Sequence, residues 1–176
     1  MVAVWLLLCA AAARAEGGTH TIWMMRHALA PGYGDPPTMV LGQCHTQRTL
    51  SNEGRAQARA AGQWLRQNGL AQARVVASPW CRTLETAELL GLGPVTTHPG
   101  LASFFQRGDA QATQAALVQL VQSHLQRAPT TPLMLVTHQV NISAYTGRGV
   151  ASGEILQVRV GPQGKAVGTR SAWLPQ

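Results

Sequence analysis

HTIWMMRH, residues 20–27, is an apolar run typical of a buried strand, and it ends in the pair Arg26-His27. A second apolar run, PLMLV at residues 132–136, is followed by Thr137-His138. In open α/β sheets the functional groups lie beyond the carboxyl ends of the strands. We therefore expect His27 and His138 to meet at one edge of a single sheet.

Strand and helix patterns alternate along the rest of the chain. The sequence predicts strands at residues 21–25, 74–78, 95–97 and 133–137, helices at 51–68, 81–90 and 111–127, and a terminal hairpin of 154–160 with 165–173. This alternation predicts a three-layer α/β/α sandwich with a mostly parallel central sheet. The loop at residues 28–49 has no regular pattern, and loops of that length inside a compact domain are often functional.

The composition is that of a globular protein, with 176 residues of which 45% are hydrophobic and 12% charged. This length is enough for one domain with a substantial core. The formal net charge of +7 attracts anionic substrates. The basic residues are scattered and are not interleaved with aromatic ones, so we expect no nucleic-acid partner.

Residues 1–15 have the pattern of a secretory signal peptide. The apolar stretch at residues 2–13 runs into Ala13-Arg14-Ala15, which has the small-x-small form of a cleavage site. The stretch is shorter than the ~20 apolar residues that a membrane span needs. We expect an exported mature domain of residues 16–176 without a stable membrane span, with an uncleaved anchor as the alternative.

Cys44 and Cys81 are the two cysteines outside the predicted signal peptide. An even number of cysteines in an exported chain favours a disulfide between them. Two buried thiols are the alternative, because a free cysteine packs as a small apolar residue. The sequence has no C-x-x-C or H-x-x-x-H spacing, so we expect no metal site.

Four ordered blocks of sequence carry a family resemblance. They are Arg26-His27-Ala28, LSNEGRAQA at residues 50–58, SPWCRTLETA at residues 78–87, and Thr137-His138. In these blocks the chain resembles the histidine phosphatase (phosphoglycerate mutase-like) superfamily. The long loop with Cys44 and the run at residues 101–105 resemble a small exported bacterial branch of it, which implies a periplasmic location.

The resemblance implies a role for each residue of the constellation. His27 is expected to be the nucleophile that attacks phosphorus and carries a phosphohistidine intermediate. Arg26 and Arg82 are expected to bind phosphoryl oxygens with their planar guanidinium groups, and His138 to donate to a further oxygen. The resemblance implies neither a metal nor an organic cofactor.

The chain departs from the family signature at one glycine. Ala28 stands where the signature has glycine after the histidine. Alanine fits there if the backbone has a negative φ.

The general acid of the family is also missing from its usual positions. The sequence has Ala102 and Ser103 after Leu101, and Gln139 after His138, where the family's branches place an acid. The remaining candidates, in our order of preference, begin with Glu154 and continue with Asp109, Asp35 and Glu85. Glu85 lies one helical turn from Arg82, so an ion pair with that arginine is its expected role.

The predicted function is hydrolysis of a phosphomonoester, with a phosphorylated small molecule or glycan as the substrate. The segment at residues 100–111 is too short for a large lid, which favours an open site and a bulky substrate. A phosphoglycerate mutase is one alternative, although it needs the missing acid. A phosphate-binding pseudoenzyme without the acid is the other.

Overall fold

The computed structural model describes residues 18–106 and 108–175 of the chain. The predicted signal peptide, residues 1–15, lies outside the described residues and stays a prediction. Within the described ranges, no helix combines the length and the hydropathy that crossing a membrane requires.

The described residues form six strands and four α-helices. They are β1 (His20–Arg26), α1 (Asn52–Gln67), β2 (Arg74–Ala77), α2 (Cys81–Leu90), β3 (Val95–Thr97), α3 (Ala110–Arg127), β4 (Leu133–Thr137), α4 (Gln139–Thr146), β5 (Ile155–Val160) and β6 (Ala166–Trp173). Every strand and helix predicted from the sequence is present within one residue of its expected bounds. Only α4 lacks a counterpart among the sequence predictions.

The strands form one sheet in the order β3-β2-β4-β1-β5-β6. Neighbouring strands from β3 to β1 are parallel, whereas β5 is antiparallel to β1 and β6 is antiparallel to β5. The sheet is therefore mixed, which corrects the expectation of a mostly parallel one. The tight turn at residues 161–164 causes part of this difference, because so short a connection can join only antiparallel strands.

Side chains that alternate along the strands divide the core into two clusters. Met24 and Leu135 pack on one face of the sheet with residues of α3 and α4. Met25 and Val136 pack on the opposite face with residues of α1 and α2. Because both faces are covered by helices, the expected three-layer arrangement is confirmed.

The register of the two central strands sets the position of the two histidines. Arg26 of β1 is the partner of Thr137 of β4. The backbone N–H of His27 donates to the carbonyl of Thr137 at 2.9 Å. His27 and His138 therefore leave adjacent parallel strands at the same edge of the sheet.

The loop at residues 27–51 lies across this edge and is fixed to α2 at its first residue. A disulfide joins Cys44 to Cys81, with a Cα–Cα separation of 5.6 Å. The side chain of Gln47 accepts a hydrogen bond from the Cys81 N–H at 3.0 Å and donates to the carbonyl of Val40 at 3.0 Å. The disulfide expected from the sequence is thus present, and it attaches the loop beside Arg82.

Candidate active site

A cavity of about 400 Å³ opens at the carboxyl edge of β1 and β4. Its ionisable lining residues are Arg26, His27, Asp35, Arg48, Arg82 and His138. The four residues predicted to form the phosphate pocket, His27 with Arg26, Arg82 and His138, therefore line one cavity. Asp35 and Arg48 join them from the long loop.

His27 is held in one protonation state by its surroundings. The side chain is 2% exposed, and Nδ1 lies 2.8 Å from the carbonyl oxygen of Ala28. Because a carbonyl only accepts, Nδ1 carries the proton and Nε2 keeps a free lone pair. Burial lowers the pKa of His27 from 6.5 to about 3, and the charges of Arg82, Arg26 and Arg48 act in the same direction against the bond to Ala28. The imidazole is therefore neutral and nucleophilic at neutral pH.

The residues that follow His27 are fixed by the signature blocks on α1 and α2. The Ala28 N–H donates to Thr86 Oγ1 at 3.1 Å, and the Leu29 N–H donates to Gln57 Oε1 at 2.9 Å. A Cβ on Gly54 would lie 2.1 Å from the carbonyl oxygen of Leu29, so only glycine permits α1 to approach this closely. No non-glycine residue in the described chain has a positive φ, so Ala28 fits where the signature has glycine.

His138 lies edge-on to His27, with a distance of 5.5 Å between the ring centroids. Its Nε2 is 2.8 Å from the hydroxyl of Ser78, and its Nδ1 is 3.5 Å from Nη2 of Arg82. Burial lowers the pKa of His138 well below its ordinary value, and the nearby His27 and Arg82 act in the same direction. Because a guanidinium only donates, the contact with Arg82 makes Nδ1 an acceptor and leaves the proton on Nε2, which donates to the Ser78 hydroxyl.

Three guanidinium groups supply donors to the cavity. Arg26 Nη1 donates to the carbonyl of Val150 at 3.1 Å, and Arg48 donates to the carbonyl of Gly32. Among the described residues, the buried Nε atoms of Arg26, Arg48 and Arg82 have no hydrogen-bond partner. Burial and the nearby charge of Arg82 lower the pKa values of Arg26 and Arg48. A phosphate dianion stabilises partly desolvated guanidinium groups that have donors to spare.

Asp35 is the carboxylate of the cavity, and its oxygens are occupied. Oδ1 accepts from Arg82 Nη1 at 2.9 Å and from the Arg48 N–H at 3.0 Å, while Oδ2 accepts from Trp80 Nε1 at 3.2 Å. Burial alone would raise the pKa of Asp35, but the hydrogen bonds, that of Arg82 first, outweigh it and the pKa is lowered. Asp35 therefore stays ionised and orients Arg82 rather than delivering a proton.

Two expectations about the acidic residues need correction. Arg82 pairs with Asp35 rather than with Glu85, whose carboxylate binds Arg55. Asp109 caps α3, accepting from the N–H groups of Gln111 and Ala112.

The prediction that Glu154 reaches the pocket mouth is not met. The side chain is 3% exposed and is absent from the cavity lining. Its carboxylate accepts from Arg148 at 2.9 Å, from the Ala151 N–H at 2.9 Å and from Ser171 Oγ at 2.8 Å. As β5 begins after Glu154, the side chain faces the neighbouring strand β6 instead of the site. Among the described lining residues, Asp35 is thus the only carboxylate.

The mouth of the cavity has an apolar rim that the sequence did not predict. Tyr33, from the long loop, meets Phe105 edge to face, with 5.1 Å between the ring centroids. Met39 and Trp80 line the same cavity. The short segment before α3 therefore contributes to the wall of the cavity, although it forms no large lid. We call Tyr33, Phe105, Met39 and Trp80 the apolar rim.

Comparison with known proteins places this geometry in a family. A sequence model of the histidine phosphatase superfamily (branch 1) matches residues 22–105. The fold is similar to that of the protein histidine phosphatase SixA complexed with tungstate, with a TM-score of 0.60, 18% identity, and coverage of 89% of this chain and 96% of that one.

Two mycobacterial proteins are also similar in fold. A glucosyl-3-phosphoglycerate phosphatase has a TM-score of 0.62 and 18% identity, with 90% of this chain and 99% of that chain covered. A protein described as mycobacterial hydrolase 1 has a TM-score of 0.64 and 18% identity, with the same coverage of 90% and 99%. No curated protein matches the sequence. The segment with the signature blocks thus matches the model of the histidine phosphatase superfamily, and the fold is similar to that of solved phosphatases.

Proposed function

We propose that the protein is a phosphatase that hydrolyses phosphomonoesters through a phosphohistidine on Nε2 of His27. One observation carries the proposal: the free lone pair of a buried, neutral imidazole lies in a cavity with three arginines that have unpaired Nε donors. Tungstate, a tetrahedral oxyanion, is bound by the structurally similar SixA, and the same class of anion fits this cavity. Metal independence is part of the proposal.

The first step is in-line attack of Nε2 of His27 on phosphorus. The N–P bond forms while the bond from phosphorus to the ester oxygen breaks, and its electron pair stays on that oxygen, which takes a proton from solvent water to give the alcohol. Arg26, Arg48 and Arg82 donate to the phosphoryl oxygens, where charge is spread in the transition state. His138, whose Nδ1 accepts from Nη2 of Arg82 at 3.5 Å, orients that guanidinium group. Water then attacks the phosphohistidine and releases inorganic phosphate and the free imidazole.

The leaving group must depart with little help from a protein acid. Asp35 is ionised and fully hydrogen-bonded, and Glu154 faces away from the cavity. A leaving group of low basicity, such as the anomeric oxygen of a sugar 1-phosphate, needs less protonation than an ordinary alkoxide. This argument supports a phosphorylated sugar or glycan as the substrate. The Cys44–Cys81 disulfide supports an exported, periplasmic location, because such bonds persist in oxidising compartments.

The unfilled position of the general acid also favours a second candidate, a phosphate-binding pseudoenzyme. That protein would keep the arginine pocket and bind phosphate without turnover. A phosphoglycerate mutase has less support, because its reaction requires the acid that this cavity lacks.

Turnover and trapping of the intermediate test the proposal. Wild-type protein should hydrolyse p-nitrophenyl phosphate, and rapid quenching with labelled substrate should trap acid-labile phosphate on the chain. His27→Ala should reduce turnover by about 10³-fold or more and trap no phosphate. His45→Ala, at an exposed loop position outside the cavity lining, is the matched control. Phosphate binding without turnover in the wild type would favour the pseudoenzyme.

A further inference from the structure

The apolar rim has exposed aromatic surface that the binding of phosphate alone does not use. Tyr33 is 87% exposed and Phe105 is 44% exposed, yet the two rings contact each other at the mouth of the cavity. Clustered apolar side chains beside convergent polar groups are typical of a binding site for a small molecule. The phosphoryl group occupies the arginine end, so the rim faces the rest of the substrate.

The backbone holds the rim in place. Gly32 and Gly34 have φ values of 97° and 67°, so the two glycines allow the turns on either side of Tyr33. Gln106, next to Phe105, accepts a hydrogen bond from the Asp35 N–H at 2.9 Å. A Cβ on Gly34 would lie 2.5 Å from Nε2 of Gln106, so the two segments pack closely. Tyr33 and Phe105 therefore form a joined surface and not two separate loop side chains.

The charges of the cavity leave room for only one anionic group. In the described part of its lining, the cations are the arginines Arg26, Arg48 and Arg82, and the anion is Asp35. Three positive charges and one negative charge leave two positive charges, which match one phosphate dianion. A second carboxylate or phosphate on the substrate would find no unpaired cation and would lie near Asp35.

We propose that the apolar rim binds the ring of an uncharged leaving group, so that the preferred substrates are phosphate monoesters of neutral ring compounds. Both an aryl ring and the flat face of a pyranose present this chemistry. The inference rests on the proposed phosphatase function for its substrate class, but the ring preference can be measured by binding alone. Substrates with an anionic leaving group, such as 3-phosphoglycerate, are disfavoured.

Calorimetry with three phosphonates, which cannot be hydrolysed, tests the ring and the charge separately. Phenylphosphonate should bind wild-type protein more tightly than methylphosphonate, which has no ring. It should also bind about tenfold more tightly than 4-carboxyphenylphosphonate, which has the same ring and one further negative charge. Equal affinities for the phenyl and methyl compounds, or for the phenyl and carboxyphenyl compounds, would overturn the proposal.

Variants of the rim assign the preference to its residues. Tyr33→Ala and Phe105→Ala should each lower the affinity ratio of phenylphosphonate to methylphosphonate by about threefold to tenfold. Leu41→Ala is the matched control, because Leu41 is an exposed apolar residue of the same loop outside the cavity lining. An unchanged ratio in both aromatic variants would place the ring elsewhere and contradict the proposal.

Asp35→Asn tests the balance of charge. It raises the charge of the cavity by one, so the preference for phenylphosphonate over its carboxylated analogue should shrink. A preference that stays as large as in the wild type would show that charge does not exclude the second anion.

Rates of turnover distinguish the two kinds of neutral ring, an aryl ring and a pyranose. The values of kcat/KM for phenyl phosphate and glucose 1-phosphate should both exceed that for glycerol 1-phosphate, which is uncharged outside its phosphate but has no ring. The faster of the two ring substrates identifies the source. If p-nitrophenyl phosphate is not turned over, the proposed phosphatase function is wrong. The phosphonate affinities still test whether the apolar rim binds a neutral ring.

Discussion

The hydroxyl of Ser78 holds the ring of His138 in one orientation. Ser78 Oγ accepts from the Trp80 N–H at 3.4 Å and lies 2.8 Å from Nε2 of His138. Because Arg82 donates to Nδ1, the proton of the ring lies on Nε2, and the Ser78 hydroxyl accepts that bond as well. Ser78 is thus a positioning residue for His138, which in turn orients Arg82.

Replacing this hydroxyl tests the argument. Ser78→Ala should lower kcat by about 10²-fold with a smaller change in KM, because the loss of orientation acts mainly in the transition state. The ¹⁵N chemical shift of Nε2 of His138 should change as well, because that nitrogen loses its hydrogen-bond acceptor. Ser123→Ala on α3 is the control and should alter neither. An unchanged Nε2 shift together with normal kcat would contradict the role of Ser78.

Glu154 shows why a residue's position in the sequence does not settle its role. It lies close behind the site in the chain, and its carbonyl accepts from the Arg26 N–H at 3.2 Å. Its carboxylate nevertheless binds Arg148, Ala151 and Ser171. Which way a side chain points at the first residue of a strand depends on the pairing of that strand, and the pairing of β5 with β6 decides it here.

If Glu154 has a structural role, replacing it should change stability and not the relative activity towards different substrates. Glu154→Gln should lower the free energy of unfolding by about 1–3 kcal/mol, because it weakens a buried, charge-assisted network. Any loss of activity should be the same for p-nitrophenyl phosphate and for an alkyl phosphate. Glu88→Gln, at an exposed position on α2, should leave stability unchanged. A loss confined to the alkyl phosphate would restore Glu154 as the general acid.

At the scale of whole elements, the close packing of α1 against the chain after β1 supports His27, the proposed nucleophile. Gly54 in the first turn of α1 leaves no space between the helix and the carbonyl of Leu29. Ser51 caps the same turn by accepting from the Gly54 N–H at 3.0 Å. The signature block at residues 50–58 thus has a structural role, because it fixes the backbone that follows His27.

Adding one methyl group to this contact should displace the nucleophile. Gly54→Ala should lower the free energy of unfolding by about 1–3 kcal/mol, because the helix must move away from Leu29. The value of kcat should fall with it. Chemical denaturation and steady-state kinetics measure the two effects. Gly149→Ala is the matched control, because a Cβ there meets no atom within 4 Å. Equal stability of the two variants would show that α1 can move away from Leu29 at little cost in free energy.

The elements were predictable from the sequence, while the long loop was not. Hydrophobic periodicity and caps such as Ser51 are local signals, so all the strands and every helix but α4 could be placed to within one residue. The signature blocks identified His27, Arg26, Arg82 and His138. The loop follows contacts made far along the chain, including the disulfide to Cys81. Nothing local therefore marked Arg48 as a cavity residue, Asp35 as the partner of Arg82, or Tyr33 as part of a rim.

Across the whole molecule, buried neutral histidines make the folded state sensitive to acid. Burial lowers the pKa of His27 from 6.5 to about 3, and it lowers the pKa values of His138 and His124 as well. Below pH 6.5 these histidines become protonated in the unfolded chain but stay neutral in the folded chain. The free energy of unfolding therefore falls as the pH falls from 6.5 towards 3.

The pH dependence of thermal unfolding checks this linkage. The midpoint of wild-type protein should fall steadily between pH 6.5 and pH 3. His27→Asn should reduce that fall, because the variant has one fewer buried histidine with a lowered pKa. His45→Asn, in the exposed part of the loop, should unfold with the wild-type dependence. Identical curves for His27→Asn and wild type would contradict the assigned environment.

The place of β1 in the sheet has a consequence for the order of folding. The first strand of the chain lies between β4 and β5, which are made more than a hundred residues later. Pairings across such separations require closure of long loops before they contribute energy, and they fold slowly. During synthesis the nascent chain can therefore assemble β2, α2 and β3, but β1 has no neighbour until β4 is complete at residue 137, and its second neighbour, β5, is complete only at residue 160. His27 reaches its place in the sheet only after β4 has formed, so a nascent fragment that ends before residue 137 should lack the candidate site.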